Sequence, residues 1–475
     1  MPNQIIGYRL SPQQKRVWSL QQDGSSYVAR CAILLDGTLN VSFLEKALET
    51  VIKRHQILRT TLQCPSEINI PIQVITDSSR VLWREVDLTG LDAQAQEAAV
   101  EKLFEEEHLN LEQGPLRHAL LLVLSTRRHF LLLSLPTVCA DAWTLKNLVP
   151  EISLAYTACA EGRELTDEPL QYVQFSEWQN ELVADEDAEE GKEYWRQQLI
   201  PELLSSSLPF ESKTQRQRVF ESHALSLAFP AETVAAIDSL ALRHGTTAEA
   251  FLLACWQTLL WRLTGQREIV VGTAFESRPY EELHDALGLF ARWLPINAAF
   301  DKHISFREVL KRARESMLNA SNWQDYFSWD LLAQNDAIGF FPFGFEYAKV
   351  AEKYQSASLA FSIYKQDVTV ERFKVKLCCT EGKGVLHVEL QYDAKLYEAA
   401  AMQRLAGEYQ RLSESALGHP EVEISKLAWL GEIEERELRC EWNQISAAMP
   451  ASCLNQLFEA QVERCAEAVA VVFEE

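Results

Sequence analysis

The 475-residue chain lacks most of the short motifs that reveal a chemistry at sight. It has no GxSxG elbow, P-loop, HExxH helix or GxGxxG loop. That removes the usual signatures of serine hydrolases, phosphate-loop enzymes, zinc proteases and dinucleotide binders. Its ten histidines nowhere pair up as metal ligands, so no metal is expected. The ten cysteines include one adjacent pair, Cys378 and Cys379, but no CxxC spacing. With no leader-like segment in "MPNQIIGYRL", they read as reduced, mostly buried thiols rather than disulfides or zinc ligands. No apolar run approaches the roughly 20 residues that span a bilayer. Positive charge is scarce: 45 Lys and Arg face 68 Asp and Glu, a formal net charge of −23. That balance argues against nucleic acid and anionic membranes as partners. A cytoplasmic protein is expected.

What is present is ordinary globular composition, 47% hydrophobic and 24% charged, in a chain too long for one core. "ARCAILLDGTLN" reads as a strand ending in a glycine turn. Ser42 and Glu45 form a capping box before "FLEKALETVIKRHQILRTTL", whose Leu44, Leu48, Val51 and Ile52 recur at helical spacing. "LRHALLLVLS" and "HFLLLSL" read as adjacent buried strands. "TLKNLVPEISLAYTA" reads as a helix that Pro150 kinks or restarts. The acidic run at 184–193 is taken as a solvated helix face or linker. Ser, Pro and charge at 200–222 suggest an interlobe linker. A second αβ segment follows, with "AEAFLLACWQTLLWRLTG" as a long apolar helix and "EIVVGTA", "FKVKLCCTEG" and "VLHVELQYD" as strands. Beyond about 430 the chain turns polar, then begins one helix and one strand. No internal repeat or low-complexity tract appears.

Six stretches occur in one order: "LSPQQKRVWSL" (10–20), "VIKRHQILRTTL" (51–62), the segment at 129–149, "LQYVQFSEWQ" (170–179), "GTAFESRPYEELHDALGLFARWLPI" (272–296) and "NWQDYFSWDLL" (322–332). Together they resemble the successive core motifs of condensation domains from nonribosomal peptide synthetases, over roughly 5–430. The tail from about 451 resembles the start of an adenylation domain. The resemblance implies an α/β fold of two chloramphenicol-acetyltransferase-like lobes in a V-shaped pseudo-dimer with a tunnel between them. It places the lobes at 1–180 and 181–430, a linker at 431–450 and the adenylation start at 451–475. It also implies that carrier domains dock at the tunnel ends and insert phosphopantetheine arms. These arms are tethered substrates rather than a permanently bound cofactor. Since the sequence opens on Met1, the donor carrier is expected on another polypeptide.

The family's central motif, HHxxxDG, falls on "PTVCADA". By resemblance, its second histidine serves the reacting amine and its aspartate is structural, pairing with an arginine of the "RHxxLRT" motif. Here Asp141 holds the aspartate position and Ala142 replaces the glycine. Pro136 and Thr137 stand where the two histidines are expected, and Arg59 matches the arginine. Asp141 is therefore read as a structural anchor and helix N-cap. Thr137 cannot act as a base near neutral pH, but its hydroxyl can donate a hydrogen bond to a developing oxyanion. Cys139 would share a side with Thr137 in an extended chain; as a nucleophile it needs a cation beside it, and a small core residue is the better reading. Where relatives commonly read "GxFVNTLPLR", this chain reads "GLFARWLPIN", with Arg292 and Trp293 in place of Asn and Thr. By resemblance these two, with Pro136, Ala142 and Trp143, lie near the lobe junction. They either reshape the tunnel or pack the contact between lobes.

Losing a positioned base typically slows a reaction about 10²–10⁴-fold, while tethering two reactants supplies roughly 7–11 kcal/mol. Condensation is thereby slowed rather than forbidden. The leading expectation is a platform that docks carrier domains, or recruits a trans-acting tailoring enzyme to a carrier-bound amino acid. The alternatives are an atypical but active condensation domain and a plain carrier-docking spacer.

Overall fold

A computed structural model of the protein describes residues 6–21, 27–65, 70–106, 118–198, 201–212, 220–332, 339–356, 358–382, 384–431, 435–436, 453–469, 471 and 473. Residues 1–429 form one compact unit and 430–475 another.

The first unit begins with β1 (Gly7–Arg9), α1 (Pro12–Gln21), β2 (Val28–Gly37), α2 (Val41–Arg54), β3 (Thr60–Gln63), β4 (Ile72–Ile75) and β5 (Leu82–Asp87). Next come α3 (Ala93–Glu106), β6 (His118–Ser125), β7 (Arg128–Pro136), α4 (Ala142–Glu161), α5 (Tyr172–Ala184) and α6 (Glu189–Gln198). The later half supplies β8 (Ser222–Phe229), α7 (Ala231–Arg243), α8 (Ala248–Thr264), β9 (Glu268–Phe275), β10 (Arg292–Ala299) and α9 (Phe306–Trp323). It ends with β11 (Phe343–Lys349), β12 (Tyr354–Ser356), β13 (Leu359–Val368), β14 (Val375–Gly382), β15 (Val385–Asp393) and α10 (Ala399–Gly418).

Two six-stranded mixed sheets organise these elements, in the orders β12-β13-β2-β7-β6-β5 and β10-β9-β11-β14-β15-β8; a small third sheet runs β1-β4-β3. β6 and β7 make the expected antiparallel pair, with Leu121 opposite Leu131. Their unbroken apolar sequence follows from burial on both faces. Leu121, Leu131 and Leu133 meet Leu48, Val51 and Leu145 from α2 and α4. Leu120, Leu122, Phe130 and Leu132 meet Val100 and Phe104 from α3.

The second sheet is lopsided. Phe343, Phe345, Val375, Leu377, Val388 and Leu390 pack into one core with α8 and α10. The alternate residues, Glu346, Lys376, Cys378, Glu389 and Gln391, occupy its other face, with Glu346 paired to Cys378 and Lys376 to Gln391 in the ladder. α8 is apolar all round because it lies within that core: every residue from Ala250 to Leu260 is buried.

Three expectations change. The N-cap of α2 is Asn40, whose side chain accepts from Phe43 N, so the box proposed on Ser42 and Glu45 starts two residues late. α4 runs through Pro150 without restarting, held by Leu145, Leu148, Ile152 and Ala155, all buried. The segment expected as the second lobe does not keep to one sheet. β13 pairs antiparallel with β2, Ile363 opposite Ile33, so residues beyond 181 complete the first sheet.

In the second unit, α11 (Leu454–Arg464) is the expected helix. The strand expected after it falls on partly described residues, of which 469, 471 and 473 are not in a strand; most of the proposed linker lies outside the described residues. Among the described residues, no helix is long and apolar enough to cross a membrane.

Candidate functional site

β7 ends at Pro136, which faces Val28 in the ladder. One turn of 3₁₀ helix, Thr137–Cys139, then leads into α4. The loop is held by Thr137 N donating to Tyr27 O (3.1 Å) and by Gln14 Nε2 donating to Val138 O (2.9 Å). The turn replaces the extended chain that would have put Cys139 and Thr137 on one side.

Thr137 is fully buried, and its hydroxyl donates to Thr369 O at 3.0 Å. Its proton is therefore engaged by a backbone carbonyl, and the oxyanion-donor role expected of it has no free donor. Cys139 is 1% exposed among apolar side chains. Burial pushes its thiol up to about 12, and its sulfur faces only Thr60 O, at 3.7 Å. It is a core residue.

Asp141 caps α4 as expected, accepting from Thr144 N at 2.7 Å. Its partner is a different arginine from the one the motif suggested. Arg59 donates instead to three backbone carbonyls, those of Ile52, Lys53 and Thr76, and fastens the end of α2. Arg278, just beyond β9, grips Asp141 with two nitrogens at 3.1 and 3.2 Å. Both side chains are almost wholly buried, 2% and 0% exposed. Phe290 N and Ala291 N add hydrogen bonds of 2.8 and 2.9 Å. Burial drives the Asp141 carboxyl upward, but Arg278 and these amides outweigh it, leaving it below the usual carboxylate range.

Around this anchor the 276–291 segment is stitched to α4 and α5. Thr144 Oγ1 donates to Gly288 O (2.5 Å), Trp143 Nε1 to His284 O (2.9 Å) and Tyr172 Oη to Leu289 O (2.6 Å). Gly288 has φ +152°, and a Cβ there would strike the Tyr172 ring. Ser277, in the turn that delivers Arg278, has φ +53°, a strained conformation for a side-chain-bearing residue.

Sequence reasoning missed Arg278, although it lies in a quoted motif. A buried Asp requires a cation, but nothing local distinguishes Arg278 from Arg59 or Arg292. It also missed a second clamp: Arg16 of α1 binds Glu371 through two bonds of 2.6 and 2.8 Å and lies 4.0 Å over the Trp329 ring.

Arg292 and Trp293, successive residues of β10, are both buried. Arg292 pairs with Asp325 at 3.0 Å. Trp293 packs on Phe373 with ring centroids 4.6 Å apart, and Lys376 Nζ lies 5.5 Å from its ring centroid. Thr369, whose carbonyl holds Thr137, lines a cavity of about 20 Å³ together with Ser222, Phe373, Lys376, Gln391 and Tyr392. Larger clefts of about 260 and 600 Å³ run along α9 and include no residue of the motif loop. Among the described residues, no group of three or more His, Cys, Asp or Glu could hold a metal ion.

A family model described as "Condensation domain" matches residues 6–439. Tyrocidine synthase 3 of Brevibacillus parabrevis is 27% identical over 481 residues, 98% of this chain but 7% of that protein. Bacitracin synthase 1 of Bacillus licheniformis is 25% identical over 479 residues, 98% of this chain and 9% of that protein. The chain thus spans a small fraction of these relatives. Among solved structures, the X-domain from teicoplanin biosynthesis superposes with a TM-score of 0.77 at 22% identity, covering 90% of this chain and 99% of that one. The same X-domain appears in a complex with OxyB, at a TM-score of 0.72 and 22% identity, over 91% and 98% of the two chains. The first condensation domain of the calcium-dependent antibiotic synthetase gives 0.74 at 18% identity, over 90% and 99%.

Proposed function

The chain belongs to the condensation-domain family, and from that premise we propose that it serves a nonribosomal peptide synthetase as a docking platform. It receives carrier-bound intermediates, or presents them to a tailoring enzyme, without running His-dependent condensation. The observation that carries this reading is the state of the motif loop. By resemblance, Pro136 and Thr137 stand where the two motif histidines are expected, and the Thr137 hydroxyl is bound to Thr369 O. Of the remaining polar side chains, Asp141 is locked to Arg278 and Cys139 is a buried thiol whose proton is held by its apolar surroundings. No group in the loop is placed to take a proton from an amine at neutral pH. The likeness to an X-domain, one solved with OxyB, supports the recruiting variant of the reading.

The partners on this reading are carrier domains, whose phosphopantetheine arms bring the substrates, a following adenylation domain, and a trans-acting enzyme. Neither nucleic acid nor membrane is among them. The setting is the cytoplasm.

The test loads donor and acceptor carriers and follows dipeptide formation by mass spectrometry, with carrier binding measured in parallel. The expected outcome is carrier binding with condensation about 10²–10⁴-fold below that of a histidine-bearing domain. A rate near that of such a domain, unchanged by Thr137→Val, overturns the platform and establishes the atypical enzyme instead.

A further inference from the structure

An edge strand presents a row of unpaired N–H and C=O groups, and proteins that stay apart from their neighbours blunt such rows with charge, proline or brevity. Three of the four edges of the two large sheets are blunted in this way. β5 carries Arg84, Glu85 and Asp87 among its six residues. β12 is three residues long. β10 carries Pro295. Phe300 N donates to Arg267 O at 2.8 Å, so the even-numbered residues of β10 face β9 and the missing N–H of Pro295 falls on the free side.

β8 is the exception. Its sequence "SHALSLAF" holds no Asp, Glu, Lys, Arg or Pro, although the chain as a whole carries a net charge of −23. Ala394 N of the neighbouring strand's end donates to Glu221 O at 2.8 Å. Alternation then turns His223, Leu225, Leu227 and Phe229 toward β15 and points the N–H and C=O groups of Ser222, Ala224, Ser226 and Ala228 away from the sheet. All four of these residues are exposed. Among the described residues, β15 is the strand that pairs with β8, and no other strand meets its outer side. Leu225 and Leu227 are half-buried at the rim of the core that Phe229 completes.

The strand also fits itself. In antiparallel pairing about a two-fold axis at Leu225, Ser222 of one copy lies opposite Ala228 of the other, and Ala224 opposite Ser226. Each of these pairs exchanges two main-chain hydrogen bonds. On one face small side chains meet small ones; on the other, Leu225 meets its own symmetry mate beside the rim of each core. No like charges meet across the axis, because the nearest charge, Glu221, lies outside the strand and is paired with Lys395. We propose that β8 is an interface to a second copy of this chain, joining the two six-stranded sheets edge to edge as an isologous dimer.

The experiment uses the full chain. Sedimentation velocity is followed from about 5 to about 500 μM protein, since an association of this kind is set by mass action. Residue-resolved amide hydrogen exchange is read at both ends of that range. The mass is expected to rise toward that of a dimer, with exchange at Ser222, Ala224, Ser226 and Ala228 slowing at least about 5-fold. Leu225 and Leu227, bonded to β15, are expected to keep the same protection throughout. Added salt should strengthen the association, because it screens the repulsion between two acidic copies; an ionic contact would weaken. The double variant Ala224→Lys, Ser226→Lys sets lysine against lysine across the axis and is expected to weaken the dimer at least about 10-fold, even though it lowers the net charge. Unchanged protection at Leu225 and Leu227 shows that the variant's β8 remains in place. A monomer at every concentration, with the four amides open, overturns the proposal and leaves the edge to an extended segment of some other protein. Equal protection of the four amides at every dilution also overturns it, since the chain then covers its own edge. So does a dimer that forms without slowing them, or one that the lysine pair leaves intact.

Discussion

Asp141 shows how far a single position can be understood before its surroundings are known. Its place just before the apolar periodicity of α4 makes it an N-cap on local grounds, and the structure agrees. Its cation lies 137 positions away, and no local pattern encodes that choice. The two arginines should therefore behave differently on removal. Arg278→Met leaves a buried carboxylate uncompensated and is expected to cost about 3–5 kcal/mol in urea unfolding. Arg59→Met removes bonds to partly accessible carbonyls and is expected to cost about 1–3 kcal/mol. The reverse ranking would return the structural role to Arg59. The same limit explains Thr137 and Trp293. Their substitutions were legible, but the Thr369 carbonyl and the lysine beside the indole come from strands far along the chain.

Elements were legible where burial on both sides gives long apolar runs, as in β6, β7 and α8. Their ends were less so. "LNVSFLE" contains two good capping residues, Asn40 and Ser42, and only backbone geometry decides between them: Asn40 has φ −103° and ψ 107°, outside the helix. Asn40→Ala is expected to destabilise the protein by about 1 kcal/mol, and Ser42→Ala to stay within about 0.5 kcal/mol. Chemical denaturation of the two variants checks the assignment. A larger loss at Ser42 would place the cap where the sequence first suggested it. The continuity of α4 across Pro150 has a related cause: contacts with β2 and β13 override a local break.

For the whole molecule, the α/β class followed from the alternation of strands and helices, and two sheets of six strands bear it out. The exchange of β13 into the first sheet did not, because a strand's partner is set by a register hundreds of residues away. The joint made by Asp141, Thr144, Tyr172 and the 276–291 segment depends on close approach at Gly288. Gly288→Ala forces a methyl group against the Tyr172 ring at a backbone angle that favours glycine, with an expected loss of more than about 1 kcal/mol. Hydrogen exchange should rise in 276–291 and at the start of α5 while β5 and β6 keep their protection. Uniform loosening across the unit would mean that the joint is not a separable feature.

The pairing of β13 with β2 also bears on how the protein is made. β2 is synthesised before its neighbour at 359–368, which follows more than 300 residues later. At about 5–20 residues per second, the nascent chain carries an apolar, unpaired edge for tens of seconds. Such an edge invites pairing with other chains until its late partner arrives.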